Sequence, residues 1–274
     1  TASQAVRRGK ATSMWMAIAS VAARETDAVV SAGNTGALMA MSKLQLRPMT
    51  GVKRPAIAAF FPTVGELVCM LDLGANIECD AEHLVQFAIL GQAFHRSLTG
   101  KESPRLGLLN VGEEEQKGHD YLRVASRRLS DPELGLNYQG FVEGSDITNG
   151  QLDVVVTDGF SGNVALKMAE GISSMFTRLL RRSLNKSFLS RLGYLLARSA
   201  LSEMRTHIDP RHYNGAVFLG LNGIAVKSHG GTDRIGFANA INVALELVDH
   251  GFLPDVSAAI ARANTILERK DDDG

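Results

Sequence analysis

Short apolar runs alternate with stretches of helical spacing along the whole chain, and that alternation predicts its elements. Met14 to Arg24 has helical spacing, and Asp27 to Ser31 is a short apolar strand that runs into a glycine loop. A helix restarts over Asn34 to Lys43. Pro55 to Phe61 and Leu67 to Leu71 read as strands joined by Pro62-Thr63-Val64-Gly65-Glu66. A link this short cannot make a parallel crossover, so the pair is expected to be antiparallel and the sheet mixed. Asp80 to Leu98 predicts a long helix, Arg105 to Asn110 a strand and Glu113 to Leu129 another helix. Tyr138 to Glu143 and Leu152 to Thr157 are strands, the second nearly all apolar and therefore expected at the sheet centre. Ser161 to about Met204 reads as helical, Ala216 to Leu219 and Gly223 to Ser228 as strands, and Asp233 to His250 and Val256 to Arg269 as closing helices. Strands alternating with helices define an α/β fold. With no repeat or linker, the pattern reads as one domain over 1–274, with a helical protrusion at about 178–206.

Composition narrows the function classes. The 274 residues are 45% apolar and 21% charged, as in an ordinary globular protein. Lys and Arg number 29 against 29 Asp and Glu, so nothing in the overall charge draws the chain to nucleic acid. Cys69 and Cys79 have no metal-type spacing and read as inert packing in a reducing compartment. No run approaches the roughly 20 apolar residues of a membrane span, and no signal peptide is evident, so a cytoplasmic location is expected. Residue 1 is Thr, and Thr1 to Lys10 is a polar lead into a helix, which suggests that the chain starts inside a longer one. Asp271-Asp272-Asp273-Gly274 reads as a frayed tail.

Four strand ends share one design, an apolar run followed by glycine with a small polar residue and then a helix. They are SAGNTGA (31–37), LDLGANIECD (71–80), LLNVGEEEQKG (108–118) and VVVTDGFSGNVALK (154–167). Glycine admits close approach of a ligand to the backbone, and a helix N-terminus offers free N–H groups to an anion. In open α/β sheets such loops gather on one edge. A tight turn with an Asn or Ser cap explains any one of them alone. Neither GxGxxG nor GxxxxGK[ST] occurs, so both common nucleotide readings are weak.

A fifth segment, GLNGIAVKSHGG (220–231), places Lys227 and His229 two apart beside Gly230 and Gly231. On a strand they share a face, and they suit an anion site or an acid–base pair. An exposed Lys and a capping His is the plainer alternative. Asn163 and Asn222 are candidate oxyanion donors, although Asn in such turns also serves αL geometry. Glu113-Glu114-Glu115 suits a helix start, and no spacing supports a dedicated metal site.

Arg178 to Arg205 carries seven basic residues against Glu203 alone. Leu184, Phe188, Leu192 and Leu195 recur at helical spacing, and Leu189 and Leu196 widen the stripe. With Arg181, Arg182, Lys186 and Arg191 this makes a basic amphipathic helix. It suits an anionic membrane surface or an acidic protein, or equally a core or dimer helix with a solvated face.

Together VSAGNTGALMA, MLDLGANIECDAEHL, LLNVGEEEQKG, DVVVTDGFSGNVALKMAEG and YNGAVFLGLNGIAVKSHG, in this order, resemble the PlsX family of phosphate acyltransferases of bacterial phospholipid synthesis. The resemblance covers nearly the whole chain. It implies a three-layer α/β sandwich with a mixed, mostly parallel sheet, like that of phosphotransacetylases and of isocitrate and isopropylmalate dehydrogenases. It also implies transfer of a long fatty acyl group from acyl carrier protein to inorganic phosphate, with no cofactor or metal. The same resemblance implies that acyl-phosphate passes to a membrane glycerol-3-phosphate acyltransferase and that the enzyme is a homodimer. The family's first βα region, with a DAMGGD-type motif, has no counterpart here. On this reading Ser31, Gly33, Asn34, Thr35 and Gly36 cradle phosphate with Gly230, and Lys227 and His229 neutralise it or protonate the leaving thiolate. Asp158, Ser161 and Asn163 orient these groups from a neighbouring loop, whose Gly159 and Gly162 help bind phosphate. Asn76, Asn110, Lys167 and Asn222 line the same site. The rivals are a phosphotransacetylase acting on short acyl-CoA, a dehydrogenase of the related fold, and a membrane-recruited scaffold without catalysis.

Overall fold

The computed structural model describes residues 9 to 272, so the polar lead before Gly9 and the final Asp273-Gly274 lie outside it. Eight strands form one sheet: β1 (Ala28–Ser31), β2 (Ala56–Phe61), β3 (Val68–Leu71), β4 (Arg105–Leu109), β5 (Asn137–Val142), β6 (Val154–Val156), β7 (Ala216–Leu219) and β8 (Ile224–Lys227). Their spatial order is β1-β8-β7-β2-β3-β6-β4-β5. As expected, β2 and β3 pair antiparallel, and the fully buried β6 is internal, between β3 and β4.

Helices cover both faces. α3 (Ala81–Thr99), α4 (Asp120–Leu129), α7 (Arg234–Asp249) and α8 (Phe252–Asp272) share one apolar core with the sheet. α1 (Ser13–Ala22), α2 (Thr35–Gln45) and the start of α5 (Gly159–Leu184) share the other. This is the three-layer α/β sandwich expected. The central helix is α3, started by a reciprocal cap between Asp80 and His83 and stopped at Gly100, whose φ of 72° favours glycine. Inside it, a Cβ on Gly91 would lie 2.8 Å from Leu71 and 2.9 Å from Val154, so glycine lets the helix settle onto the sheet.

Three elements depart from the pattern. The helix expected from Glu113 begins only at Asp120. Gly118 adopts φ 82°, and the Asn110 side-chain amide donates to the carbonyls of Gly112 and Lys117, winding 110–118 into a loop. The acidic run therefore does not serve a helix dipole, and Glu114 pairs with Lys117 instead. The long helix from Ser161 is two helices, α5 and α6 (Phe188–His207), because Asn185 caps the first and Ser187 starts the second. The last helix begins at Phe252 rather than Val256 and continues to Asp272. Cys69 is fully buried, and burial pushes its thiol pKa up, while Cys79 is partly buried and pushed up to about 12.

Strand direction overturns the expectation that all the glycine loops share an edge. β2 is antiparallel to both β3 and β7, β7 is antiparallel to β8, and β8 is parallel to β1. β3, β6, β4 and β5 run together. The loops after β3, β4 and β6 therefore open at one edge, here the upper, and those after β1 and β8 at the lower.

Asp153, its side chain 1% exposed, ties β6 to β4. It accepts from the Arg105 backbone N–H (2.7 Å) and side chain and from Lys101 (2.8 Å). Burial works to raise its pKa, but the bonds from Arg105 and Lys101 overcome this and hold the carboxyl well below the usual range. A depressed folded pKa adds stability above the unfolded value, about 3.9, and loses it as pH falls towards the folded one. Asp153→Asn is expected to cost about 3 kcal/mol at neutral pH, with a shallower decline of stability below pH ~4, measured by urea unfolding across pH.

Candidate functional site

The lower edge gathers the loops after β1 and β8, which run in register with Ser31 opposite Lys227. A Cβ on Gly230 would lie 3.2 Å from the Ala32 carbonyl, so the two loops touch. Ser31 Oγ accepts from Gly33 N–H, and Asn34 Oδ1 accepts from Ala37 N–H as the cap of α2. These side chains shape the turn, and the first-turn amides of Thr35 and Gly36 point beyond the helix end, where an anion is stabilised.

Asn214, which sequence reading passed over, holds the β8 loop. Its side chain is buried, donates to Ser228 Oγ (2.8 Å) and the Gly236 carbonyl (2.6 Å), and accepts from His229 N–H (2.7 Å). Its partners lie 14 to 22 residues away, so no local motif announces it. β8 ends at Lys227, so the two-residue period does not carry to His229, which is exposed. The His229 ring accepts from Gly231 N–H at Nδ1, leaving Nε2 to carry the proton in the neutral ring.

Lys227 is partly buried and on the same face as Ala225, with Nζ donating to the Ser228 carbonyl. Burial lowers its pKa, and the nearby charge of Lys167 lowers it further. Lys167 lies on α5, exposed and paired with Glu170 at 2.8 Å. α5 starts at the upper edge, so eight residues, about 12 Å of helix, carry Lys167 across the face to this lower cluster.

Other expected site residues sit at the upper edge and do structural work. Asp158 caps α5, accepting from both N–H and Oγ of Ser161. Gly159 and Gly162 are buried, not ligand-facing, because a Cβ would lie 2.5 Å from the Asn76 carbonyl and 1.9 Å from the Asp72 carbonyl. Asn163 is exposed beside Gly74. Asn76 spends both amide protons on the Pro55 carbonyl and Asp72, and Asn110 spends both on its own loop. Asn222, at the start of β8, donates to the carbonyls of Arg47 and Pro48, so it is not an oxyanion donor beside Lys227. The proposed partners Asp158 and Asn163 therefore do not join Lys227 and His229 in one loop cluster. Among the described residues no group of His, Cys, Asp and Glu is arranged to hold a metal.

No residue of α6 is buried, and Phe188 is 81% and Leu196 84% accessible. Phe188, Leu189, Leu192, Leu195 and Leu196 form its apolar stripe, and Arg181, Arg182, Lys186 and Arg191 surround the turn between α5 and α6. No helix among the described residues is long and apolar enough to cross a membrane.

An eight-stranded mixed sheet between helical layers is the fold that solved phosphotransacetylases also have. A phosphotransacetylase from Streptococcus pyogenes superposes with a TM-score of 0.59 at 18% identity, over 85% of this chain and 67% of that one. A 4-hydroxythreonine-4-phosphate dehydrogenase from Klebsiella pneumoniae does so with 0.51 at 14%, over 86% and 68%. Both share the fold. The family model described as "Fatty acid synthesis protein" matches residues 1–254. A phosphate acyltransferase of Rhodospirillum centenum is 55% identical over 266 residues, 97% of this chain and 75% of that protein. The chain belongs to this phosphate acyltransferase family.

The seating of α5 on the β3 loop is directly testable. Gly162→Ala should destabilise the protein by about 2 kcal/mol or more in denaturant unfolding, since the Asp72 backbone must move. Gly171→Ala, in the same helix with open space around it, should stabilise by about 0.5–1 kcal/mol. Equal effects would refute the packing role.

Proposed function

We propose that this chain transfers a long-chain fatty acyl group from acyl carrier protein to inorganic phosphate, releasing acyl-phosphate for a membrane enzyme that acylates glycerol 3-phosphate. The observation that carries the reading is Lys227, a partly buried cation whose charged neighbour is a second cation, Lys167, beside the α2 N-terminus. Such an arrangement calls for an anion. Phosphate held there attacks the thioester carbonyl carbon, the carbon–sulfur bond breaks, and the departing sulfur gains a proton as phosphate loses one. His229 Nε2 gives its ring proton to the departing sulfur and takes the phosphate proton in its place, and catalysis otherwise rests on positioning and charge.

Replacing Lys227 by Met should lower kcat/KM for phosphate at least about 100-fold, the scale for a lost charge-stabilising donor. Lys167→Met should have the smaller effect, because that lysine is exposed and shared with Glu170. With the Lys227 pKa lowered, its charge is lost at a lower pH than an ordinary lysine's, so KM for phosphate should rise early on the alkaline side. The assay compares phosphate-dependent cleavage of acyl-acyl-carrier-protein with that of short acyl-CoA. Preference for short acyl-CoA would favour a phosphotransacetylase, and no cleavage of either a scaffold.

The basic stripe of α6 supplies the route to product delivery by reversible binding to anionic bilayers, and the same charge suits acidic acyl carrier protein. α5 carries a second exposed apolar row, Phe160, Val164, Met168, Ile172 and Leu179, which suits a second copy of the chain in a homodimer. Vesicle sedimentation tests the bilayer contact. Leu192→Glu with Leu196→Glu should weaken binding to anionic vesicles more than about tenfold, and unchanged binding would refute it.

A further inference from the structure

We infer that the acyl chain lies in an apolar trough beside Lys227, floored by Ala216, Ala59 and Phe61, and that these residues set which chain lengths fit. The inference rests on the phosphate-site reading above and adds the place of the tail.

The trough follows from strand register. Ser31 lies opposite Lys227, Lys227 opposite Ala216, and Ala59 opposite Met70. Ala58 pairs with Val217 in the antiparallel β2–β7 ladder, so the next step puts Ala59 opposite Ala216. These residues form one cross-strand row. Alternation puts Ala216, Ala59 and Phe61 on the face that carries Lys227, and all three pack at the margin of the second core. Strands lie about 4.8 Å apart, so Ala59 is roughly 10 Å from the lysine's strand.

Cover on that face is uneven. α2 contacts β8 and α5 contacts β3, and β7 and β2 lie between them. One row higher, Phe218 and Ile57 are buried and close the trough. At the lower end Ala216, Ala59 and Phe61 stay partly exposed. The opposite face of β2 shows what a seated helix does, since Ala56 and Ala58 are completely buried in the core that α3 shares. An apolar floor left open only where it meets a cation fits a linear hydrocarbon with a reactive, anion-attacked head. The carbonyl would sit near Lys227 and the methylenes over the alanines.

Calorimetric titration with inorganic phosphate and with alkyl phosphates from butyl to dodecyl tests this. For the wild-type chain, affinity should climb with length, by roughly three- to fourfold per methylene where burial is complete. Ala59→Leu and Ala216→Leu should bind phosphate and butyl phosphate as wild type does, yet bind dodecyl phosphate at least tenfold more weakly. Phe61→Ala opens the trough, so it should shift the best length upward, and it decides the matter alone if a Leu variant no longer melts cooperatively. Wild-type length dependence in all three variants, with phosphate binding still lost in Lys227→Met, would overturn the trough and leave the phosphate site standing. Equal weakening of phosphate and dodecyl phosphate by the Leu variants would also overturn it. Phosphate binding untouched by Lys227→Met would instead bring down the functional reading itself.

Discussion

The antiparallel hairpin of β2 and β3 is the constraint on which the rest of the molecule depends. β2 runs against both β3 and β7, and β7 in turn runs against β8, so β1 and β8 end at the edge opposite to the ends of β3, β6 and β4. Asp72, just past β3, locks the reversal. Its buried carboxylate accepts from Ile57 N–H (2.9 Å), Ala75 N–H (3.1 Å), Asn76 N–H (2.7 Å) and the Asn76 side chain (2.9 Å). Burial raises the Asp72 pKa, and these four donors work against it. The group thus joins the start of β2 to the loop after β3, and the loop in turn forms the bed for Gly159 and Gly162. From that bed α5 sets off across the sheet and delivers Lys167 to the far edge.

Much of this was legible in the sequence, for local physical reasons. Short apolar runs between turn residues marked the strands, and the short link 62–66 specified the antiparallel pair. The Asn34 and Asp158 caps fall where a polar residue precedes an apolar helical pattern. Direction was the invisible part. β7 returns beside β2 only after a helical excursion of more than 40 residues, and no local pattern tells which way it runs. The same blindness assigned Asn76, Asn110 and Asn222 to a binding edge, although their amide protons are used up, by Pro55 and Asp72 for Asn76, by its own loop for Asn110 and by the distant Arg47 and Pro48 carbonyls for Asn222. It also missed Asn214, whose role exists only once β8 and α7 are in place.

The site logic survives that correction in altered form. One ring of glycine loops has become two groups. The upper one is occupied with holding α5, and the lower one brings together two lysines, of which Lys167 is paired with Glu170. Asp153 makes a useful contrast, since its buried carboxylate stands between Arg105 and Lys101 and the cluster is self-satisfied. Lys227 has partial burial with no acidic partner among the described residues. Burying part of an ammonium group disfavours its charged form, so a cation kept there is more economically explained by a ligand than by stability.

The hairpin of α5 and α6 presents the opposite imbalance, an excess of apolar surface. Helices of this length satisfy their own backbone, but in proteins most helical stability comes from burying an apolar face. Here the outer part of α5 and all of α6 expose theirs. The two rows lie on different helices and differ in setting. The α5 row begins at Phe160 beside the folded body, whereas the α6 row starts at Phe188 near the basic turn. Two surfaces so placed can be covered by different neighbours at once. A second copy against α5 would fix the hairpin to a stable body, leaving the basic end of α6 free to meet a charged surface.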